Sequence, residues 1–270
     1  MTMRIALAAG ALLLGAAVSA ATLTPAVADP AKAACRGTIY LTFDTGSGSQ
    51  AEYIAATLKR HHVKATFFMA NEKTTRGDGS LDASWAPYWK ARVAEGHAFG
   101  SHTFDHVYLQ KANNGDGDGG KMLVKPQFGA HAGQTLAWTP AQYCSELQRV
   151  GQRFSALTGA PLDPIWRAPG GRVSKRTLAA GKACGLTHFG WAPAGFSGDE
   201  TSSAAFPNQV LLARALSKLK NGDIFVAHLG IWSRQEPWAP AVLEPLIVGL
   251  QQKGMCFATL RDHPDFLKTP

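Results

Sequence analysis

Short apolar runs recur along the chain, and between them lie stretches whose apolar positions fall three or four residues apart. The first pattern reads as strands buried on both faces, the second as amphipathic helices. Strands are predicted at 38–43, 64–69, 98–101, 165–167, 186–191, 223–228 and 255–260. Ser49-Gln50-Ala51-Glu52 has the spacing of a capping box and opens a helix running to Arg60. A second helix spans 85–95 and stops at Gly96. A third takes Thr139 as N-cap and Pro140 as its first helical residue, and ends before Gly159. Further helices cover 174–183, 208–219 and 240–253, the last stopped by Gly254.

Seven strands separated by helices, with no run of consecutive hairpins, imply parallel strands joined by right-handed crossovers, hence a barrel or a doubly wound sheet. Asp44, His102, Arg167, Trp191 and His228 choose between the two, because each stands at the C-terminal end of a predicted strand. A barrel gathers those ends on one face, whereas an open sheet spreads them along an edge. The expected fold is therefore α/β, a distorted (β/α) barrel of about seven parallel strands, closed or nearly so. No G-x-G-x-x-G turn or P-loop supports nucleotide binding. The segment 107–138 is long for a connection and carries the run Asn113-Asn114-Gly115-Asp116-Gly117-Asp118-Gly119-Gly120. It lacks the ligand spacing and closing glutamate of an EF-hand. It reads as a mobile loop at the mouth of the site.

The first 28 residues stand apart. A positive charge at Arg4 precedes an almost wholly apolar stretch over 5–17, and Pro25-Ala26-Val27-Ala28 offers a small-x-small cleavage site. That is the pattern of a secretory signal peptide, too short for a comfortable membrane span. No later stretch approaches 18 apolar residues. An exported protein, periplasmic or secreted and without stable membrane insertion, is expected, with one domain over 29–270. The chain holds 27 Lys and Arg against 19 Asp and Glu, a net charge of +8. This balance suits an anionic envelope partner and plain solubility equally. Lys and Arg never run beyond two in succession, which argues against nucleic acid. Cys35, Cys144, Cys184 and Cys256 contain no C-x-x-C pair and read as structural disulfides of an oxidising compartment. If the first and last strands are barrel neighbours, Cys35 and Cys256 lie at the same end and pair with each other. Nothing in the sequence fixes an oligomeric state.

The strand-end residues form a chemical set. His102 and His106 lie four apart, so on one helical turn both imidazoles would face the same way and could share a metal ion. Two imidazoles do not complete a tetrahedral site, and a third protein ligand must come from elsewhere. Asp44 precedes Thr45-Gly46, where small residues let substrate approach, although standing alone it would equally cap a turn. Arg167 could keep such a carboxylate ionised and oriented. His228 follows four apolar residues and is placed as a general acid at a barrel mouth, or else as a core histidine. A base, two metal-type imidazoles, an arginine and a further histidine are the parts of metal-assisted hydrolysis.

In chain order these segments resemble the motifs of the polysaccharide deacetylases of carbohydrate esterase family 4, the group of chitin and peptidoglycan N-deacetylases. Thr42-Phe43-Asp44-Thr45-Gly46 is similar to Thr-Phe-Asp-Asp-Gly, and His102-Thr103-Phe104-Asp105-His106 to His-Ser/Thr-x-x-His. Arg167-Ala168-Pro169-Gly170-Gly171 resembles Arg-x-Pro-Tyr/x-Gly, and Val226-Ala227-His228 resembles Leu-x-His. The resemblance runs from about Gly37 to Leu260. It implies removal of N-acetyl groups from an amino-sugar polymer, with Asp44 as general base, Arg167 positioning it, His228 protonating the departing amine, and His102 and His106 holding a divalent metal, zinc by expectation. Pro169, Gly170 and Trp191 are expected against the substrate.

Two departures stand out. The second aspartate of the first motif, the third metal ligand in the family, is Thr45 here, which removes a full negative charge and predicts a weakened or altered metal site. Asp199 and Asp105 are the first candidates to replace it. The paired aspartates that follow tryptophan in the family are absent after Trp191; Asp199 lies a little later and is a candidate partner for Arg167. The leading function is a polysaccharide N-deacetylase acting on a cell-envelope or exported glycan. The alternatives are a catalytically impaired barrel that binds glycan, and a related amidase or deformylase acting on another envelope molecule.

Overall fold

The computed structural model describes residues 35–110 and 118–268. The segment 1–28, read from the sequence as a signal peptide, and most of the Asp/Gly run lie outside the described residues. In chain order the elements are β1 (Gly37–Asp44), α1 (Ala51–Arg60), β2 (Thr66–Met69), α2 (Ala86–Ala94), β3 (Ala98–Ser101), β4 (Tyr108–Leu109), β5 (Met122–Lys125), β6 (Leu136–Trp138), α3 (Pro140–Thr158), β7 (Ile165–Trp166), α4 (Lys175–Ala183), β8 (Thr187–His188), α5 (Asn208–Lys218), β9 (Ile224–His228), α6 (Trp238–Gln252), β10 (Met255–Ala258) and α7 (Pro264–Leu267).

Seven parallel strands form the main sheet. β1, β2, β3, β7 and β8 pair in that order, and β1 also pairs with β9 and β10. The sheet curls as a distorted barrel. Among the described residues no ladder joins β8 to β9, so the curl stays open there. The segment 192–197 lies in that gap against β9, through a Phe196–Val226 bridge and N–H bonds from Ala192 to the Ile224 carbonyl (3.0 Å) and from Ser197 to the Val226 carbonyl (3.1 Å). The pairing of β1 with β10 brings the first and last strands together, and Cys35 is bonded to Cys256 as expected. A second disulfide joins Cys144 to Cys184.

Two-residue periodicity sorts the strand side chains into two cores. Phe43, Phe67 and Phe99 are register partners on β1, β2 and β3, and their rings stack at 5.7 and 5.8 Å. They pack with Trp89 of α2, the edge of its ring meeting Phe67 at 6.0 Å. This outer core continues through Ile54 and Leu58 of α1 and Leu243, Leu246 and Ile247 of α6. The alternate set contains Tyr40, Phe68, Ile165, Phe189 and Leu260, which form a separate cluster. Asp44 and Phe68 are register partners in the same alternation, so Asp44 sits directly beside that cluster.

Two expectations need correction. The segment 107–138 is not a structureless loop: β4, β5 and β6 form a small antiparallel sheet. Met122 and Val124 are buried and Leu123 and Lys125 less so, a two-residue alternation that packs onto Val107, Leu109 and Trp166. Nor does Ser49 cap α1. The N-cap is Gln50 with no side-chain cap bond, and its N–H donates to the Leu229 carbonyl (2.8 Å), so the exit of β9 sets the start of the helix. At α3 Thr139 is the N-cap and Gly159 ends the helix in the left-handed conformation, as the sequence reading has it, and Gln142 completes a capping box with Thr139.

Candidate active site

Asp44, the last residue of β1, is 3% exposed and is the register partner of His228 at the end of β9. Arg167, fully buried, reaches it from the end of β7. Its Nη1 donates to Asp44 Oδ1 (2.9 Å) and to Thr42 Oγ1 (2.8 Å), its Nε to the Phe189 carbonyl (3.1 Å) and its Nη2 to the Gly190 carbonyl (3.0 Å). The guanidinium lies 4.1 Å over the Phe68 ring, so it is fixed from below as well as at its edges. Burial alone would raise the Asp44 pKa, but His102, the charges of Arg167 and His228, and the Arg167 hydrogen bond outweigh it and hold the carboxyl below its usual range. Asp44 is held as a carboxylate.

His102 follows β3. Its N–H donates to the Met69 carbonyl (2.8 Å), and its ring Nδ1 lies 2.9 Å from the Arg167 carbonyl, which can only accept. Nδ1 therefore carries the hydrogen, and Nε2, 3.5 Å from Asp44 Oδ2, presents its lone pair. Burial, with His106 adding to it, pushes the pKa of His102 down to about 4, so the neutral, ligand-competent form prevails. His106 sits 5.0 Å away, ring to ring, but not on a helical turn. Thr103 and His106 take left-handed conformations, φ 60° and 47°, and this irregular loop aims the two rings. His106 Nδ1 is buried with no hydrogen-bond partner; of the four such side-chain nitrogens among the described residues it alone can offer a lone pair. This donor chemistry fits a divalent metal, although among the described residues no three His, Cys, Asp or Glu side chains stand as a ready-made metal cluster.

The two aspartates considered as replacement ligands are occupied. Asp105 pairs with Arg149 (3.0 Å). Asp199 accepts from the His228 N–H (2.7 Å) and lies 3.1 Å from His228 Nδ1, so it serves His228 rather than Arg167. Glu200 approaches the other ring nitrogen, Nε2, at 3.0 Å. Burial would lower the His228 pKa, but Asp199 and Glu200 overcome it and raise the value well above the ordinary one. His228 is a protonated imidazolium held between two carboxylates.

Pro169 is buried behind Arg167, while Gly170 is exposed with φ +60° and so close to Tyr108 that a Cβ would meet its ring at 2.8 Å. Gly171 bears the same relation to Trp191, also at 2.8 Å. Trp191 lies 5.7 Å from the Arg167 guanidinium and stacks on Phe196. All the residues singled out in the sequence therefore gather at one end of the sheet. The sequence reading missed Glu72, which follows β2 and whose Oε1 accepts from Thr45 Oγ1 (2.7 Å) and from the Gly46 N–H (2.9 Å). Burial would raise its pKa, yet His106, the Thr45 bond and His102 draw it below the usual carboxylate range. Its one sequence clue is its place, just past a strand's C-terminal end.

The family model for polysaccharide deacetylase matches residues 31–189. A peptidoglycan-N-acetylglucosamine deacetylase of Listeria monocytogenes is 41% identical over 81 residues, 30% of this chain and 16% of that protein's length. A family 4 acetyl xylan esterase from Clostridium thermocellum, solved with cobalt, superposes with a TM-score of 0.63 at 18% identity, covering 86% of this chain and 93% of the other. A family 4 pseudoenzyme from Bacillus anthracis superposes at 0.61 with 17% identity, covering 84% and 64%. The two superpositions speak for the fold; the matched span, 159 of 270 residues and including Asp44, both metal-type histidines and Arg167, speaks for the lineage: the chain belongs to the polysaccharide deacetylase family.

Proposed function

We propose that the chain is an exported, metal-dependent hydrolase that removes N-acetyl groups from an amino-sugar polymer of the cell envelope or an exported glycan. One observation carries this reading: an ionised Asp44, clamped by Arg167, ends its strand in register with a protonated His228. Base and acid in opposite protonation states side by side are what amide hydrolysis needs.

Asp44 takes a proton from the water that attacks the acetyl carbonyl carbon. Arg167 keeps Asp44 charged and aimed through four hydrogen bonds, of which only one goes to the carboxylate itself. His228 gives its proton to the amine nitrogen as the carbon–nitrogen bond breaks, and acetate and a free amino sugar leave. His102 and His106 would hold the divalent ion, zinc by expectation. That ion, when bound, would polarise the acetyl carbonyl and acidify water. Trp191, half-buried and 5.7 Å from the Arg167 guanidinium, is the aromatic residue placed to meet a sugar ring.

A second reading, a barrel retained for glycan binding alone, draws on Thr45, whose neutral hydroxyl stands where a carboxylate is expected. A binding module has no need of opposed charge states at Asp44 and His228. Acetate release from chitooligosaccharides, peptidoglycan, poly-N-acetylglucosamine and acetylated xylan tests both. At least one N-acetylated polymer should release acetate, with Asp44→Asn and His228→Ala each reduced by about 10²–10⁴-fold. Glycan binding without any acetate would favour the module, and unchanged turnover in Asp44→Asn would remove the mechanism.

A further inference from the structure

We infer that Glu72 is the third protein ligand of the metal site, a carboxylate supplied from the exit of β2 in place of the one that Thr45 lacks on β1. The inference rests on the proposal that His102 and His106 hold a divalent ion. Two neutral imidazoles leave such a site one protein ligand short and without negative charge.

The sheet order makes the exit of β2 a fitting source. β2 pairs with β1 on one side and β3 on the other, so the chain leaving it emerges between Asp44 and the histidine loop. The backbone fixes it there: the Asn71 N–H donates to the Phe104 carbonyl, inside the His102–His106 segment, at 2.7 Å. The next residue is Glu72. Both bonds to its carboxylate fall on Oε1; among the described residues no hydrogen bond engages Oε2. One oxygen is thus anchored and the other left available, as a monodentate ligand with an outer-shell partner would be.

Thr45 then acquires a role. It is 1% exposed, its hydroxyl accepts from the Ala70 N–H (3.2 Å) and donates its single proton to Glu72. Thr45 ties β1 to the strand that delivers the carboxylate. An aspartate at 45 beside Glu72 would crowd two negative charges, so a hydroxyl at 45 and a carboxylate at 72 are complementary choices.

Zinc titration of metal-free protein by calorimetry tests this without reference to turnover. Glu72→Gln keeps an oxygen that can accept from Thr45 and Gly46 but removes the charge. Outer-shell changes weaken metal binding about 10–100-fold, and loss of an inner ligand should weaken it at least ~100-fold, with the metal-free melting temperature little changed. Adding Thr45→Asp to Glu72→Gln restores a carboxylate from β1 and should recover most of the affinity. Equal zinc affinity in wild type and Glu72→Gln, or a wild type that takes up no zinc, would overturn the inference. Zinc binding that depends on Glu72 in a protein releasing no acetate would uphold the ligand and remove the deacetylase reading.

Discussion

In the proposed reaction His228 delivers a proton from whichever ring nitrogen is not already committed to the protein. Nδ1 is committed to the buried Asp199, so the donor is Nε2, now bonded to Glu200, whose side chain is 47% exposed. A departing amine would take Glu200's place. Because the His228 pKa is raised by Asp199 and Glu200, the proposed acid stays protonated to higher pH than a free imidazole, and activity should fall as pH rises through that pKa. Removing the Glu200 charge lowers it. In Glu200→Gln the high-pH limb of kcat/KM for acetate release should therefore move to lower pH, with the low-pH limb unmoved and kcat at neutral pH within about tenfold of wild type. A high-pH limb that stays in place would show that Glu200 does not act on His228. The residues of this site were legible to different degrees. Asp44, His102, His106, Arg167 and His228 carry their neighbours with them as short motifs. Glu72, in Asn71-Glu72-Lys73, looks like any loop acid, and Asp199 stands 29 residues from the histidine it serves and reads equally as a partner for Arg167.

At the scale of elements, backbone close to the site gives up strand pairing to build the site. The sequence suggested a strand over 186–191, yet β8 ends at His188 because the next two carbonyls, of Phe189 and Gly190, accept from the Arg167 side chain. Apolar pattern reveals the strand but not this competing use of its carbonyls. The helices were placed more closely: local chemistry sets the start of α3 at Thr139, although the start of α1 is set by the exit of β9. Gly100 makes the link from packing to chemistry testable. A Cβ there would lie 2.7 Å from Phe68 Cε1 and 2.8 Å from Ile165 Cγ1, and Phe68 is the ring beneath Arg167. Gly100→Ala should destabilise by about 1–3 kcal/mol through overpacking. It should also lower kcat by up to roughly 10²-fold, since displacing the clamp of Asp44 by about an ångström has that order of effect. Denaturant midpoints and acetate release at a temperature where both proteins are folded separate the two. A destabilised but fully active variant would uncouple Phe68 from the site.

Over the whole molecule, stability draws on a covalent tie between the first and last strands and on keeping a buried imidazole neutral. The Cys35–Cys256 bond joins the first and last strands across a separation of 221 residues, which in the chain-entropy view removes a few kcal/mol of unfolded-state freedom at any pH. His97 adds a term that varies with pH. It is 2% exposed in the turn between α2 and β3, packs edge-on against Phe67 at 5.2 Å, and its Nδ1 accepts from the Ala65 N–H at 3.0 Å. Burial, with Arg92 adding to it and Glu95 opposing, pushes its pKa down to about 4. The unfolded chain binds a proton there near pH 6.5, so between about 6.5 and 4 the folded state holds fewer protons than the unfolded one. Stability contributed by neutral His97 is then complete above pH 6.5 and is lost as the pH falls towards 4, by an amount on the order of 3 kcal/mol. Asparagine can keep the bond, since its side-chain oxygen accepts from Ala65 as Nδ1 does, but it does not titrate. Urea midpoints measured from pH 7.5 to 4.5 should fall less steeply in His97→Asn than in wild type. His188, also pushed to about 4, titrates in both proteins and cancels from the difference. Parallel curves for the two proteins would mean that His97 is already charged when folded, and that the Ala65 bond is not what holds this turn against β2.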